Sequence, residues 1–234
     1  MTRPWHIHAP PYTHASGGVV VLHRLCHKLR QLGVDAAVGT IDLNPLWDTP
    51  HRPDPLPGSI VVYPEINAGN PLGAECVVRY VLYFPGALGG DVTYDASELV
   101  VTYRGVYCPG APVVAISCID ETRFHSRDPK TCDVVYLHKG GAEGAPMPRG
   151  ALVMTDGWPK HRALSAALLR SARRLYSYDV HTAVTLEARM CGAEVYTPRG
   201  GAWVLDDRTI EPLPPWDDLT ETRRLVAMAK ERFG

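Results

Sequence analysis

From Ser16 to Ile41 the chain reads SGGVVVLHRLCHKLRQLGVDAAVGTI, and its apolar positions change period once along the way. Leu22, Leu25, Leu29 and Leu32 fall three, four and three residues apart, which is one face of a helix. Ser16 can cap that helix and Gly33 can stop it. DAAVGTI then reads as a strand. Beyond a proline-rich loop from Pro45 to Pro57, SIVVYPEI is a continuous apolar run of the kind that forms a strand buried on both faces. NPLGAECVVRYVLYFPG predicts a helix reaching about Leu82 and closed by Pro85-Gly86. ELVVTYRG and APVVAISC predict two more short strands.

A second series starts near Cys132. CDVVYLHKGG predicts a strand running into a glycine-rich turn, and GALVMTD another strand. PKHRALSAALLRSAR predicts a helix with Pro159 near its first turn. RLYSYD is a short strand, HTAVTLEARMCGA a helix from about Val180 to Gly192, and EVYTP a strand. WDDLTETRRLVAMAKERF closes the chain as a helix with Leu219, Val226 and Phe233 on one side. Strands alternating with helices on both sides of Cys132 predict an α/β protein with parallel sheets and crossover helices. The expected architecture is two small Rossmann-like domains facing across a cleft, residues 1–130 and 131–215, followed by the final helix, 216–234.

Composition changes this picture at a few points. With 234 residues, one or two domains fit. A net charge of −1 gives no global pull toward nucleic acid or an anionic membrane. The six cysteines form no C-x-x-C pair and sit mostly in apolar runs, as buried thiols of a reducing compartment do. The start, MTRPWHIHAPPY, has no apolar core of a leader, and no window approaches the ~20 apolar residues of a membrane span. A cytoplasmic protein is expected. His6-x-His8 and the His23/His27 pair have spacings a metal could use but lack the Glu of H-E-x-x-H, and no metal site is expected. Lys160, His161, Arg162, Arg170, Arg173 and Arg174 read as a solvated basic face or, if functional, as one that binds phosphate, an acidic acceptor or DNA, while Trp5 and Tyr12 can stack on a ligand or pack in the core. No G-x-G-x-x-G follows a first strand, which argues against a nicotinamide enzyme.

The candidate chemistry centres on YSYDVHTAVTLEARMCGAEV. Asp179 falls at the carboxyl end of a predicted strand and the amino end of a predicted helix, where open α/β sheets bind ligands and where helix amides favour an anion. It can equally be a plain N-cap. Glu187 lies two turns further in, nearly aligned with Asp179 along the helix, and either reaches solvent or hydrogen-bonds a polyol.

This segment resembles the signature of retaining GT-B glycosyltransferases of the glycogen synthase and sucrose synthase group: acid-x7-acid, then Ala, a Cys-Gly turn and a strand. Asp179 stands where the first acid is usually Glu. The resemblance implies that Asp179 sits by the donor sugar and that Glu187 hydrogen-bonds the nucleotide ribose, with Ser177, Tyr178, His181, Thr182 and Ala183 lining the donor turn. HASGGVVVLHRL is similar to the family's first strand-turn-helix, where Gly17 and Gly18 would face donor phosphates or acceptor through close backbone approach or positive φ. VVYPEINAGNPLGAECVVRYVLYFPG resembles a segment of small bacterial and phage members, putting Glu65 and Gly86 on the acceptor side. In VVYLHKGG, Lys139 is the counterpart of the cation that neutralises the diphosphate leaving group, with Arg149 or Lys160 as substitutes. The resemblance implies a nucleoside-diphosphate sugar as co-substrate, no permanently bound cofactor and no metal. It also implies a final helix returning to the first domain. The acceptor is left open among protein, glycan and a phage DNA base, and a homodimer is left open too. A non-catalytic nucleotide-sugar-binding module is the rival.

Overall fold

The structure is a computed structural model that describes residues 3–137, 144–155, 157–179, 182–208 and 213–234. The chain divides into two compact units, Met1–Cys118 with Leu213–Gly234, and Ile119–Pro212.

The first unit is built on a parallel five-stranded sheet in the order β2-β1-β3-β4-β5. Its strands are β1 (Trp5–Ile7), β2 (Ala36–Val38), β3 (Ile60–Pro64), β4 (Cys76–Val81) and β5 (Leu99–Thr102). Strands β1 to β4 are buried along their whole length, as the continuous apolar runs require. Helix α1 (Gly17–Gln31) crosses from β1 to β2. Ser16 caps it, its hydroxyl accepting from the Val19 amide at 3.4 Å. Gly33 ends it at φ +75°, with the Gly33 amide donating to the Arg30 carbonyl and the Val34 amide to that of Leu29, a Schellman closure.

Two cations of α1, Arg24 and Lys28, are buried. The Lys28 ammonium donates to the carbonyls of Trp216 (2.9 Å) and Asp218 (2.6 Å), and the Arg24 guanidinium lies 3.2 Å from the Trp216 ring centroid. These contacts tie the segment ahead of α4 (Thr220–Phe233) to the first unit. The Asp218 carboxylate then accepts from the Thr220 amide at 2.9 Å, at the start of α4.

Two local expectations are corrected here, and one open choice is decided. Residues 76–81, predicted as helix, form β4, because the run is short, rich in β-branched residues and bounded by the turn at Gly73 (φ +61°) and by Pro85-Gly86. APVVAISC forms no strand; its one ladder contact is the bridge between Thr102 and Val113. Of the two roles open to Trp5, it takes the second and packs in the core on β1, a strand whose central polar His6 hid it from the pattern.

His6 has both ring nitrogens buried without a hydrogen-bond partner among the described residues, and a Cβ on Gly39 would lie only 3.1 Å from its Nε2. Burial, followed by the neighbouring His8, depresses its pKa to about 4. Burial lowers His8, His23 and His27 in the same direction. Such a histidine stays neutral when folded but takes up a proton below pH 6.5 when unfolded. The histidine contribution to stability is therefore flat above that pH and falls as pH drops toward 4. His6 alone contributes a loss of about 1.4 kcal/mol per pH unit across that window. Urea denaturation at pH 7.5, 6.0 and 5.0 measures the slope, and His6→Leu should flatten it by about one proton.

The second unit carries the order β10-β9-β8-β6-β7. Its elements are β6 (Cys132–Leu137), β7 (Leu152–Thr155), α2 (Arg162–Ser171), β8 (Ala172–Ser177), α3 (Ala183–Met190), β9 (Glu194–Arg199) and β10 (Ala202–Leu205). All pairings are parallel except the β9–β10 hairpin. Gly200 (φ +57°) and Gly201 (φ +80°) form its two-residue turn, with Arg199 opposite Ala202, the type I′ pattern that Gly-Gly favours. Helices α2 and α3 touch each other and share one face of this sheet. Leu175, Val195 and Thr197 point into that face and are buried. Together the two sheets make an α/β protein dominated by parallel pairing. Among the described residues no helix is long and apolar enough to cross a membrane, and all six cysteines are free thiols, four of them buried.

Candidate functional sites at the carboxyl ends of the two sheets

In an open parallel sheet, crossovers that leave in opposite directions open a crevice at the strands' carboxyl ends. The first sheet reverses between β1 and β3. There the His8 ring meets Tyr63 edge-on at 5.4 Å. Gly17 and Gly18 form the first turn of α1, and neither has positive φ. A Cβ on Gly18 would meet Leu82 at 3.5 Å, an ordinary contact, so packing against Leu82 leaves room for alanine.

Glu65 follows β3 and is buried, its carboxylate accepting from the Leu82 amide at 2.8 Å. Burial raises its pKa, opposed by the backbone amides of Leu82, Glu65 and Tyr83. A carboxyl group held this way fastens the end of β4. Gly86 takes φ +78° in the loop after β4, a conformation that L-residues avoid. The Tyr83, Phe84 and Tyr107 rings cluster with centroids 5.0 to 5.6 Å apart at the same end of the sheet.

The second sheet reverses between β6 and β8. Ser177, Tyr178 and Asp179 stand at the carboxyl end of β8, directly beside β6. The buried Ser177 hydroxyl donates to the Asp179 carbonyl at 2.6 Å and fixes the turn. The Tyr178 hydroxyl donates to the Ala145 carbonyl at 2.8 Å. Lys139 and His181 lie outside the described residues. Of the substitutes for Lys139, Arg149 and Lys160 are both exposed, and Lys160 precedes the first turn of α2.

The helix after Asp179 starts later than its sequence suggests. Thr182 is the N-cap, its hydroxyl accepting from the Val184 amide at 3.3 Å, and Ala183 is the first helical residue. Asp179 is therefore neither the cap nor aligned with Glu187 along a helix axis. It belongs to the turn between β8 and α3.

Glu187 is neither a surface charge nor open to solvent. Its side chain is 1% exposed and accepts two bonds from Arg162, one of them at 3.0 Å. The Arg162 guanidinium also lies 4.5 Å from the Phe124 ring centroid. The pair locks the first turn of α2 to α3. Sequence reasoning missed it by grouping Arg162 with a solvated basic face. That face is not one surface: Arg170 pairs with Asp128 at 2.7 Å, while Arg173 and Arg174 belong to β8. The available signal was Arg162 at a helix start with a lone acid on the next helix.

Glu187→Ala removes one partner of a largely buried pair, at a cost of about 2–3 kcal/mol, below the full figure for a buried pair because the Arg162 side chain is 22% exposed. Thermal denaturation checks this; a loss under about 0.5 kcal/mol would mean the pair is as weak as a surface one.

Among the described residues no group of three or more His, Cys, Asp or Glu is arranged to hold a metal ion. Compared with models of known protein families and with curated proteins, the chain shows no match.

Proposed function

We propose that this chain is a GT-B glycosyltransferase that moves a sugar from a nucleoside-diphosphate sugar to an acceptor with retention of anomeric configuration. In this reading residues 1–130 serve the acceptor, 131–215 bind the donor, and the final helix belongs with the acceptor side. The observation that carries the reading is the position of Asp179. The first acid of the acid-x7-acid segment stands at the reversal point of the second sheet, ahead of a capped helix N-terminus. That surrounding suits an anionic diphosphate with a sugar attached.

Departure of the diphosphate is the demanding step. The first-turn amides of α3 and the Lys139 ammonium would stabilise its developing charge, a preorganised effect of a few kcal/mol. Asp179 would hold sugar hydroxyls. Ser177 keeps the Asp179 backbone in place. Glu187 acts through Arg162: it fixes the guanidinium and the start of α2, and a ribose hydroxyl reaches its carboxylate only when Arg162 yields one of its two bonds. The rival, a non-catalytic nucleotide-sugar-binding module, draws support from that closure.

A thermal-shift panel of UDP-, GDP-, dTDP- and ADP-sugars tests the donor site. One nucleotide at ~100 times its dissociation constant should stabilise the chain by about 2.7 kcal/mol, a shift of several degrees. Asp179→Asn should abolish the shift, with the melting temperature of the free variant as the reference. Asp179 is the informative position, because Glu187→Ala would change stability on its own. No shift with any donor sinks the reading and its rival together.

A further inference from the structure

The face of the second sheet opposite α2 and α3 has its own chemistry. Residues that alternate with the buried Leu175 and Val195 point the other way: Arg174 and Tyr176 on β8, and Glu194 and Tyr196 on β9. The Tyr176 and Tyr196 rings stack at 5.2 Å and 27°. From β10, Trp203 reaches across β9 to meet Tyr176 at 5.2 Å and Tyr178 at 4.7 Å, both edge-on. Four aromatic rings thus form one partly exposed platform.

A wall rises beside it. The Trp203 indole donates to the Pro146 carbonyl and the Tyr178 hydroxyl to that of Ala145, both at 2.8 Å, which pins this segment against the platform. The segment, the rings and Arg174 line an open groove of about 550 Å³, with Arg149 on its lining. A second open groove of about 400 Å³ shares Arg174 and adds Arg173 and Lys130.

The charge of this track is unlike that of the whole chain. Lys130, Arg149, Arg173 and Arg174 face two carboxylates, Asp133 and Glu194, in a protein of net charge −1. Lys130 is taken up by the carbonyls of Arg170 and Cys191. The other three cations are accessible. Arg149 is exposed and has no acidic partner among the described residues. Arg174 sits 3.9 Å from Asp133 and 3.5 Å from Glu194, and Arg173 3.3 Å from Asp133, with both arginine side chains half or more exposed. Exposed pairs of this kind are weak and exchange readily for phosphate.

We infer that this open face binds single-stranded nucleic acid. Bases stack on the Tyr176, Tyr196 and Trp203 rings, and backbone phosphates lie on Arg149, Arg173 and Arg174. Stacking platforms beside a cationic track are how single strands are held with little sequence preference. A duplex hides its base faces and does not fit. A neutral glycan could use the rings but leaves the cationic excess without a counterpart.

Fluorescence anisotropy of the full chain with a labelled dT12 strand, titrated from 50 to 200 mM salt, tests this. Binding in the micromolar range is expected, with a 12-bp duplex and maltoheptaose failing to compete. Tyr196→Ala and Trp203→Ala should each weaken binding at least about fivefold, whereas Tyr196→Phe, which keeps the ring, should not. The pair Arg149→Ala and Arg174→Ala should reduce the slope of log affinity against log salt by about 1.4, at ~0.7 for each phosphate no longer neutralised. Tyr196 and Arg149 contribute little to the core, and circular dichroism verifies that their variants fold. No dT12 binding at 100 μM protein and 50 mM salt overturns the inference. So does binding that Tyr196→Ala and the double arginine variant leave unchanged, or binding that duplex or maltoheptaose displaces as well.

Discussion

Arg79→Ala should destabilise the first unit by about 3–5 kcal/mol, the largest effect expected of any single side-chain truncation in this chain. Arg79 lies in the middle of β4 and is fully buried. Its guanidinium forms a fork on Glu98, with both nitrogen-to-oxygen distances at 2.9 Å and side-chain exposures of 1% and 8%. It also donates to the carbonyls of Asn67 (2.8 Å) and Gly69 (2.7 Å). The Tyr63 and Tyr94 rings lie 5.2 and 5.1 Å away. One cation therefore ties together the loop after β3, the strand β4 and the approach to β5. Alanine would leave Glu98 as a buried charge, free two carbonyls and open a cavity. Arg79→Lys should recover only part of the loss, since an ammonium cannot match the fork. Urea denaturation measures both, and a loss below about 1 kcal/mol for Arg79→Ala would mean the ion pair is dispensable.

The second large effect is expected at Gly90. Its φ is +74°, and a Cβ would sit 1.9 Å from the Glu65 carbonyl oxygen and 2.8 Å from the Ile66 carbonyl carbon. These neighbours are backbone and cannot swing aside. Overpacking of ~1–3 kcal/mol adds to a left-handed penalty of ~1–2 kcal/mol. Glu65 itself would have to move, and with it the carboxylate that accepts from the Leu82 amide. Gly86 is the control: it shares the positive φ, but its Cβ would meet only the Val92 side chain at 2.6 Å, and Val92 is 70% exposed. Gly86→Ala should therefore cost only the conformational part, about 1–2 kcal/mol. Equal losses at the two glycines would refute the close-approach argument.

These positions also show what a sequence can and cannot convey. The helix at 17–31 is legible because cap, apolar period and closing glycine agree. The run CVVRYV misleads because its arginine looks like the polar face of a helix, while Glu98, which neutralises it, lies nineteen residues away. The Gly200-Gly201 turn was a readable hairpin signal, and AWVL after it a readable edge strand. At the candidate site, the place of Asp179 at a strand's carboxyl end was legible from the apolar run before it. Thr182 was equally visible as a capping residue, and weighing it would have moved the helix start from 180 to 183. The burial of Glu187 under Arg162 is tertiary, set by α2 lying against α3; a cation at one helix start and a lone acid on the next helix hinted at the pair but did not fix it. The aromatic platform was hidden for the same reason: Tyr176, Tyr196 and Trp203 come from three strands and meet only through the register of the sheet.

The most direct test of glycosyl transfer is release of nucleoside diphosphate, followed by chromatography over hours with UDP-, GDP-, dTDP- and ADP-sugars and the full chain. Slow release from one nucleotide class is expected, accompanied by an equal amount of free sugar. Asp179→Asn should reduce it by about 100-fold, the scale of removing one preorganised interaction with the reacting group. Binding of a donor without any release would contradict catalysis and leave the binding module standing. Release that Asp179→Asn leaves unchanged would contradict the site.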